Sequence, residues 1–281
     1  MNHKLIILAA GASSRMKASM GGHELSPQDI ALANSRTKAL IPGPDGHRPV
    51  LDYLIHRAKQ AGYTDIYLVT GNNLPDFQAF YGREKSGNNF NGIQIHFAIQ
   101  YVPEDRKKPL GTADAVWQAL EQYPELQASR FSVCNSDNLY SVQALKNLRR
   151  SKSPAALVAY DREGLEFSDE RISRFALLSI DPEDYLVDII EKPDLEKMQD
   201  FKDAEGKYRV SMNIFAFDGR VGHPYLRDCP LDSQRQEKEI PTALLNLCRD
   251  QPKACRCYPM AEHVPDLTSK QDIITFRKYL E

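Results

Sequence analysis

The chain has no charge excess of either sign. Among its 281 residues, 36 Lys and Arg face 38 Asp and Glu, a net charge of −2. The basic field of a nucleic-acid or anionic-membrane binder is therefore missing. No stretch approaches the roughly 20 apolar residues of a membrane span. The apolar run Leu5–Ala10 is shorter than the roughly 7–15 residues of a signal-peptide core. Cysteines are few, odd in number and scattered, at 134, 229, 248, 255 and 257. That excludes a disulfide framework and fits reduced thiols, so the expected location is the cytoplasm. Cys255-Arg256-Cys257 lacks a second pair for a metal site; on a strand its two thiols share one face. Internal repeats and long linkers are absent. So are the two common phosphate loops, G-x-G-x-x-G and the Walker Gly-Lys-Ser/Thr.

What is present is a different phosphate turn. The apolar strand Leu5–Ala9 runs into Gly11-Ala12-Ser13-Ser14-Arg15. Small residues leave backbone N–H groups open there, and an arginine adds positive charge, which is chemistry for holding phosphate. Strands and amphipathic helices then alternate. A helix is expected over 51–61, strands over 65–70 and 93–99, a helix over 112–122, and strands over 131–134 and 155–160. This alternation predicts an α/β fold with a mostly parallel sheet and helices on both faces. Ligands in such sheets bind at the carboxyl ends of strands.

The second half reads as an extension of the same sheet. Strands are expected over 172–178 and 185–190, joined by a hairpin at Asp181-Pro182-Glu183-Asp184, and a further strand over 207–217. Helices follow over 240–249 and 269–280. The segments Lys17–Arg36 and Gly82–Asn91 read as loops. Trp117 reads as core rather than as a base-stacking residue.

Several separated motifs now agree in order. They are Leu8-Ala9-Ala10-Gly11-Ala12-Ser13-Ser14-Arg15, Thr37-Lys38-Ala39-Leu40-Ile41-Pro42, Gly111-Thr112-Ala113-Asp114, Asn135-Ser136-Asp137-Asn138, Glu191-Lys192-Pro193, Met212-Asn213-Ile214-Phe215 and Val264-Pro265-Asp266-Leu267-Thr268. Together they resemble the sugar-phosphate nucleotidyltransferases, also called nucleoside-diphosphate-sugar pyrophosphorylases. The resemblance implies a three-layer α/β/α Rossmann-like nucleotide-diphospho-sugar transferase fold with a mixed, mostly parallel sheet. It further implies a single domain, with residues 1–150 as nucleotide half and 151–281 as sugar-phosphate half. The sequence departs from the family pattern at Ser14, where threonine is usual, and in a longer segment between Arg15 and Lys38. Asn213 lacks the usual glycine-rich strand after it, and the spacing from Gln100 to Gly111 is long.

The implied reaction joins a nucleoside triphosphate to a sugar 1-phosphate and releases pyrophosphate, with Mg²⁺ as cofactor. The attacking phosphate oxygen is already anionic, so the site must position polyanions and offset charge rather than supply a strong base. By the resemblance, Arg15 and Lys38 are catalytic: Arg15 holds the β- and γ-phosphates, and Lys38 reaches the α-phosphate. Leu8, Ala9, Ala10, Gly11, Ala12, Gln100, Gly111, Thr112 and Asp137 would bind the nucleotide. Glu191, Lys192 and Asn213 would bind the sugar phosphate. Asp137 and Asp266 would bind the metal, as hard oxygen ligands suit Mg²⁺. Structural alternatives stand beside these roles. Asp137 could cap a helix starting near Ser141, and Asp266 or Thr268 could cap the last helix.

The expected partners are the nucleoside triphosphate and the sugar phosphate, with no nucleic acid and no membrane; a homo-oligomer stays open. Other functions fit the motifs less well. A cytidylyltransferase acting on choline phosphate or a polyol phosphate shares the first motif, but the Glu191-Lys192-Pro193 and Asn213 set favours a sugar. A catalytically silent nucleotide-binding domain would not need Arg15, Lys38, Asp137 and Asp266 together. A glycosyltransferase usually carries Asp-x-Asp, which Asn135-Ser136-Asp137 lacks. The long segment Lys17–Arg36, tethered between Arg15 and Lys38, is expected to be a mobile flap over the phosphates.

Overall fold

The computed structural model describes residues 2–22, 24–190 and 201–280. Its strands are β1 (Lys4–Leu8), β2 (Asp65–Thr70), β3 (Asn88–Phe90), β4 (Ile93–Ile99), β5 (Arg130–Asn135), β6 (Ala155–Asp161), β7 (Leu177–Ile180), β8 (Leu186–Ile190), β9 (Arg209–Asp218) and β10 (Cys255–Met260). They form one sheet in the order β10-β6-β9-β5-β1-β2-β4-β3, with β7 beside β9 and β8 beside β7. The pairs β5/β1, β1/β2, β2/β4 and β10/β6 are parallel. β9 runs antiparallel to both β5 and β6, so the sheet is mixed.

The helices are α1 (Ser14–Ala18), α2 (Pro27–Ser35), α3 (Val50–Ala61), α4 (Leu74–Tyr81), α5 (Thr112–Gln122), α6 (Val142–Arg150), α7 (Asp169–Ile172), α8 (Gly219–Arg227), α9 (Ile240–Asp250) and α10 (Asp272–Leu280). The period-2 alternation of β1 sorts the two cores. Leu5 and Ile7 pack with Leu54 of α3, Leu148 of α6 and Phe276 of α10. Ile6 packs on the opposite face with Val116 of α5, Leu226 of α8 and Leu247 of α9. Trp117 lies against this second core, as do Cys255 and Cys257, both fully buried on β10.

Three expectations need correction. The polar run before Asn91 contains β3, which pairs antiparallel with β4. The strand expected over 172–178 begins later, at Leu177, because Ser168 accepts from the Arg171 N–H and starts α7 instead. The Asp169-Glu170 pair in the first turn of α7 suits the positive end of a helix.

The segment Lys17–Arg36, expected as a loop, contains α2 (Pro27–Ser35). Lys270, only 3% exposed, donates from Nζ to the carbonyls of Lys17 at 3.0 Å and Ser19 at 2.5 Å. Arg277 of α10 pairs with Asp29 of α2 at 2.7 Å. Leu25 and Ala33 are buried. The insertion is in contact with the C-terminal segment.

No helix among the described residues is long and apolar enough to cross a membrane.

Candidate active site

The site forms where the sheet changes direction. β1 and β5 are parallel neighbours, with Leu8 opposite Asn135. β2 follows β1 on one side and β5 lies on the other, so the chain leaves the sheet in opposite senses at their carboxyl ends. The Gly11 turn leaves β1 there, and Asn135-Ser136-Asp137 leaves β5. The Ser136 N–H donates to the Leu8 carbonyl at 3.1 Å, tying the two exits together.

Ser13 sits in the left-handed region, at φ 55°, and turns the chain into α1. Its Oγ accepts from the Lys38 N–H at 3.2 Å, which locks the phosphate turn to the second motif. The N–H groups of Gly11, Ala12 and Ser13 donate to no acceptor among the described residues. Lys38 opens a short 3-10 turn and forms an ion pair with Asp137; the two side chains are 15% and 19% exposed. Arg15 is exposed on the same rim.

Asp137 and Asp266 are far apart in sequence yet lie on adjoining backbones. Asn138 and Asp266 form an isolated antiparallel bridge. The Leu267 N–H donates to the Asp137 carbonyl and the Leu139 N–H to the Pro265 carbonyl, each at 2.9 Å. Neither acid caps a helix. Ser141 caps α6, and Asp272 accepts from the N–H groups of Thr268 and Ser269 at the start of α10. Burial, and next the charge of Asp137, push the Asp266 carboxyl above its ordinary value; Arg171 opposes this. The two carboxylates thus share one electrostatic site. Among the described residues, no third His, Cys, Asp or Glu joins them as a metal cluster. Two oxygen ligands of this kind still suit Mg²⁺, which completes its shell with water and substrate phosphates.

Two cavities meet at this point. One, of about 490 Å³, is lined by the Leu8–Arg15 turn, Thr37, Lys38, Gln100, Gly111, Thr112 and Asp137. The other, of about 590 Å³, is lined by Asn213, Asp266, Arg171, Arg174 and Arg235, among others. Arg15, Asn135 and Asp137 belong to both. Larger in volume is a groove between α8 and α9, at about 650 Å³, but none of the motif residues lines it.

In the first cavity, Gly111 has φ +116°, and a Cβ there would stand 2.5 Å from the Lys238 carbonyl oxygen. Only glycine fits this approach. Gln100 donates from Nε2 to the Gly111 carbonyl and to Asp114, each at 2.9 Å. The Thr112 hydroxyl donates to Glu239 at 2.7 Å and accepts from the Ile240 N–H, joining the starts of α5 and α9.

In the second cavity, Asn213 sits at φ 56° in mid-strand. Met212, Asn213 and Ile214 of β9 span the place of Val158 alone on β6. This bulge turns Asn213 outward while its neighbours stay buried. The Tyr140 hydroxyl lies 2.7 Å from the Met212 carbonyl and supports the bulge from beneath. Glu191 and Lys192 lie outside the described residues.

Sequence reasoning missed Arg171. Its guanidinium donates to Asp266 Oδ2 and Asp272 Oδ1, both at 2.6 Å, and stacks on Phe167. It therefore orients the second acid. Ser168 followed by Asp-Glu was the available signal for the helix that carries it.

A mixed sheet with phosphate turn, paired acids and two chambers at its strand ends defines the nucleotide-diphospho-sugar transferase fold. Two solved structures share it. UDP-glucose pyrophosphorylase complexed with UDP-glucose matches with TM-score 0.71 at 16% identity, over 100% of this chain and 98% of that one. A protein provisionally named glucose-1-phosphate thymidylyltransferase, from Bacillus anthracis and solved with a sucrose, matches with TM-score 0.67 at 21% identity, over 98% and 94%.

The nucleotidyl transferase family model matches residues 4–263, and the chain belongs to that family. Among curated relatives, the small subunit of glucose-1-phosphate adenylyltransferase from Triticum aestivum is 24% identical over 239 residues. The match covers 79% of this chain and 47% of that protein, so the chain spans about half the length of this relative.

Proposed function

We propose that this protein transfers a nucleotidyl group from a nucleoside triphosphate to a sugar 1-phosphate, yielding an NDP-sugar and pyrophosphate, with Mg²⁺ as cofactor. The observation that carries the reading is the seam at Arg15, Asn135 and Asp137. A two-substrate displacement needs two chambers that open onto one reacting atom, and the α-phosphorus would lie at this seam.

The triphosphate enters the cavity of the Gly11 turn. The open N–H groups of Gly11–Ser13 and the guanidinium of Arg15 receive the β- and γ-phosphates, for which a planar fork is well suited. Gln100 and Gly111 take the base side. Lys38 offsets the charge that builds on the α-phosphate as the bond forms. The acceptor enters the second cavity, where Asn213 offers a donor and an acceptor to sugar hydroxyls. Arg171, Arg174 and Arg235 also line that chamber, with Arg171 paired to Asp266 and Asp272 and Arg174 to Glu170, so its charge is mixed. The acceptor oxygen attacks in line and the pyrophosphate leaves toward Arg15. When bound, Mg²⁺ supplies charge neutralisation for the phosphates; Asp137 and Asp266 would hold it. No residue has to remove a proton, because the attacking oxygen is anionic at neutral pH.

Incubation with each nucleoside triphosphate, a panel of sugar 1-phosphates and Mg²⁺, with pyrophosphate as readout, tests this. Pyrophosphate release that depends on one sugar phosphate is expected. Release by none of the pairs would overturn the reading.

A further inference from the structure

The base side of the nucleotide cavity carries a carboxylate that the mechanism does not use. Glu237 lines the cavity beside Gln100, Gly111 and Glu239. It is half-buried, and its carboxylate has no hydrogen-bond or ion-pair partner among the described residues. Its position is fixed all the same. The Glu237 carbonyl accepts from the Asp232 N–H at 2.8 Å. The next residue, Lys238, donates to the Leu110 carbonyl and accepts from the Ala113 N–H. Arg106 clamps the Gln236 carbonyl at 2.7 Å. Both strands of this wall are thus held against each other around Gly111.

The half-buried or buried polar groups that can face a base here, Gln100 and Glu237, are acceptors; Lys108, which also lines the cavity, is exposed. Both partners of Gln100 Nε2 are oxygens, which assigns the amide orientation. Its Oε1 has no donor among the described residues, so an acceptor is what Gln100 offers to a ligand. Glu237 adds a second acceptor. A carboxylate would repel phosphate, which on the proposed reading goes to the turn with Arg15 and Lys38. Bases differ in what they present to such a wall. Guanine offers N1–H and an adjacent amino group, which match a carboxylate with two parallel hydrogen bonds. Cytosine and adenine pair one amino group with a ring acceptor that a carboxylate repels. Uracil and thymine flank one N–H with two carbonyls.

Resting on the nucleotidyltransferase reading, we propose that Glu237 selects the nucleobase and that the donor nucleotide is a guanine nucleotide. Bidentate base contacts of this type discriminate on the order of ten- to a hundred-fold. Calorimetric titration with GTP, dGTP, ATP, CTP, UTP and dTTP, each with Mg²⁺ and without acceptor, tests it on the wild type and on Glu237→Gln. The expected result is GTP and dGTP bound about tenfold or more tighter than UTP and dTTP. In Glu237→Gln that ratio should shrink about tenfold, while the melting temperature stays unchanged. Tightest binding of ATP, CTP, UTP or dTTP overturns the proposal. So does a GTP-to-UTP ratio that Glu237→Gln leaves alone. A variant that changes only the GTP-to-dGTP ratio would make Glu237 a ribose reader and overturn it too. Binding without base preference defeats this proposal but leaves the nucleotidyltransferase reading standing; absence of all nucleotide binding defeats both.

Discussion

Gly111→Ala is the sharpest perturbation the nucleotide cavity permits. The glycine has φ +116°, and the added Cβ would meet Lys238 oxygen at 2.5 Å, its nitrogen at 2.8 Å and its carbonyl carbon at 3.0 Å. All three are backbone atoms, so no flexible side chain can swing aside. Holding alanine at this φ costs about 1–3 kcal/mol. Moving Lys238 away weakens its hydrogen bonds to Leu110 and Ala113, at 2.5 and 2.9 Å, each with a net value of about 0.5–1.5 kcal/mol. The sum is about 2–4 kcal/mol if those bonds are partly kept. At roughly 2–4 °C per kcal/mol, the melting temperature should fall by roughly 4–16 °C. If the wall yields instead, nucleotide affinity should drop by about tenfold or more, since 1.4 kcal/mol corresponds to a factor of ten. Scanning calorimetry and nucleotide titration on the same variant separate the two routes. A variant with wild-type melting and wild-type nucleotide affinity would refute the argument that this wall requires glycine.

Asp137→Asn should cut turnover on the order of 10²-fold or more, the scale of a lost electrostatic contribution to the transition state, with circular dichroism unchanged; near-normal turnover with Mg²⁺ would remove Asp137 from the metal site. Lys270→Met should leave the Lys17 and Ser19 carbonyls without their buried donor, costing about 1–3 kcal/mol. Hydrogen exchange across 17–22 and 24–36 should then speed up, and unaltered exchange would show that Lys270 does not fasten the insertion. Asp266 makes a pH prediction. Its carboxyl is held above the ordinary 3.8 by burial and by Asp137, and a divalent ion needs it ionised. Mn²⁺ affinity should therefore weaken on acidification at a higher pH than for an ordinary aspartate. The ion-free fold gains rather than loses stability from this group over the same interval, because the folded state takes up the proton more readily than the unfolded one. Mn²⁺ affinity that is flat until the ordinary aspartate range would contradict the shift.

Strands with a well-buried apolar set were the most legible part of the sequence. Asp65–Thr70 and Ile93–Ile99 are read to the residue, because apolar, β-branched runs between turn signals admit little else. The same holds for the helix Thr112–Gln122, whose apolar positions share one face. β3 was hidden because a three-residue edge strand, Asn-Asn-Phe, has polar residues where periodicity needs apolar ones. Of the site, the motif residues could be named and their placement at strand ends inferred. Their mutual geometry could not. The Lys38–Asp137 pair, the bridge between Asn138 and Asp266, and the Arg171 clamp are tertiary contacts between segments far apart in sequence, which no local pattern encodes. The partners of the Lys17–Arg36 segment were hidden for the same reason: Lys270 and Arg277 lie at the other end of the chain.

The bridge between Asn138 and Asp266 also bears on the order in which the protein becomes competent. During synthesis the phosphate turn, Lys38 and Asp137 emerge early, and the strands β1, β2, β4 and β5 that carry or flank them can pair at once. Asp266 arrives only after β6, β9 and β10 have been made, and its contact with Asn138 closes a long loop. Contacts of such sequence separation form late, because the loop-closure entropy comes before the gain. In refolding, secondary structure should therefore return ahead of divalent-ion binding. On the proposed reading, the nascent chain would carry its phosphate turn before its second acid was in place.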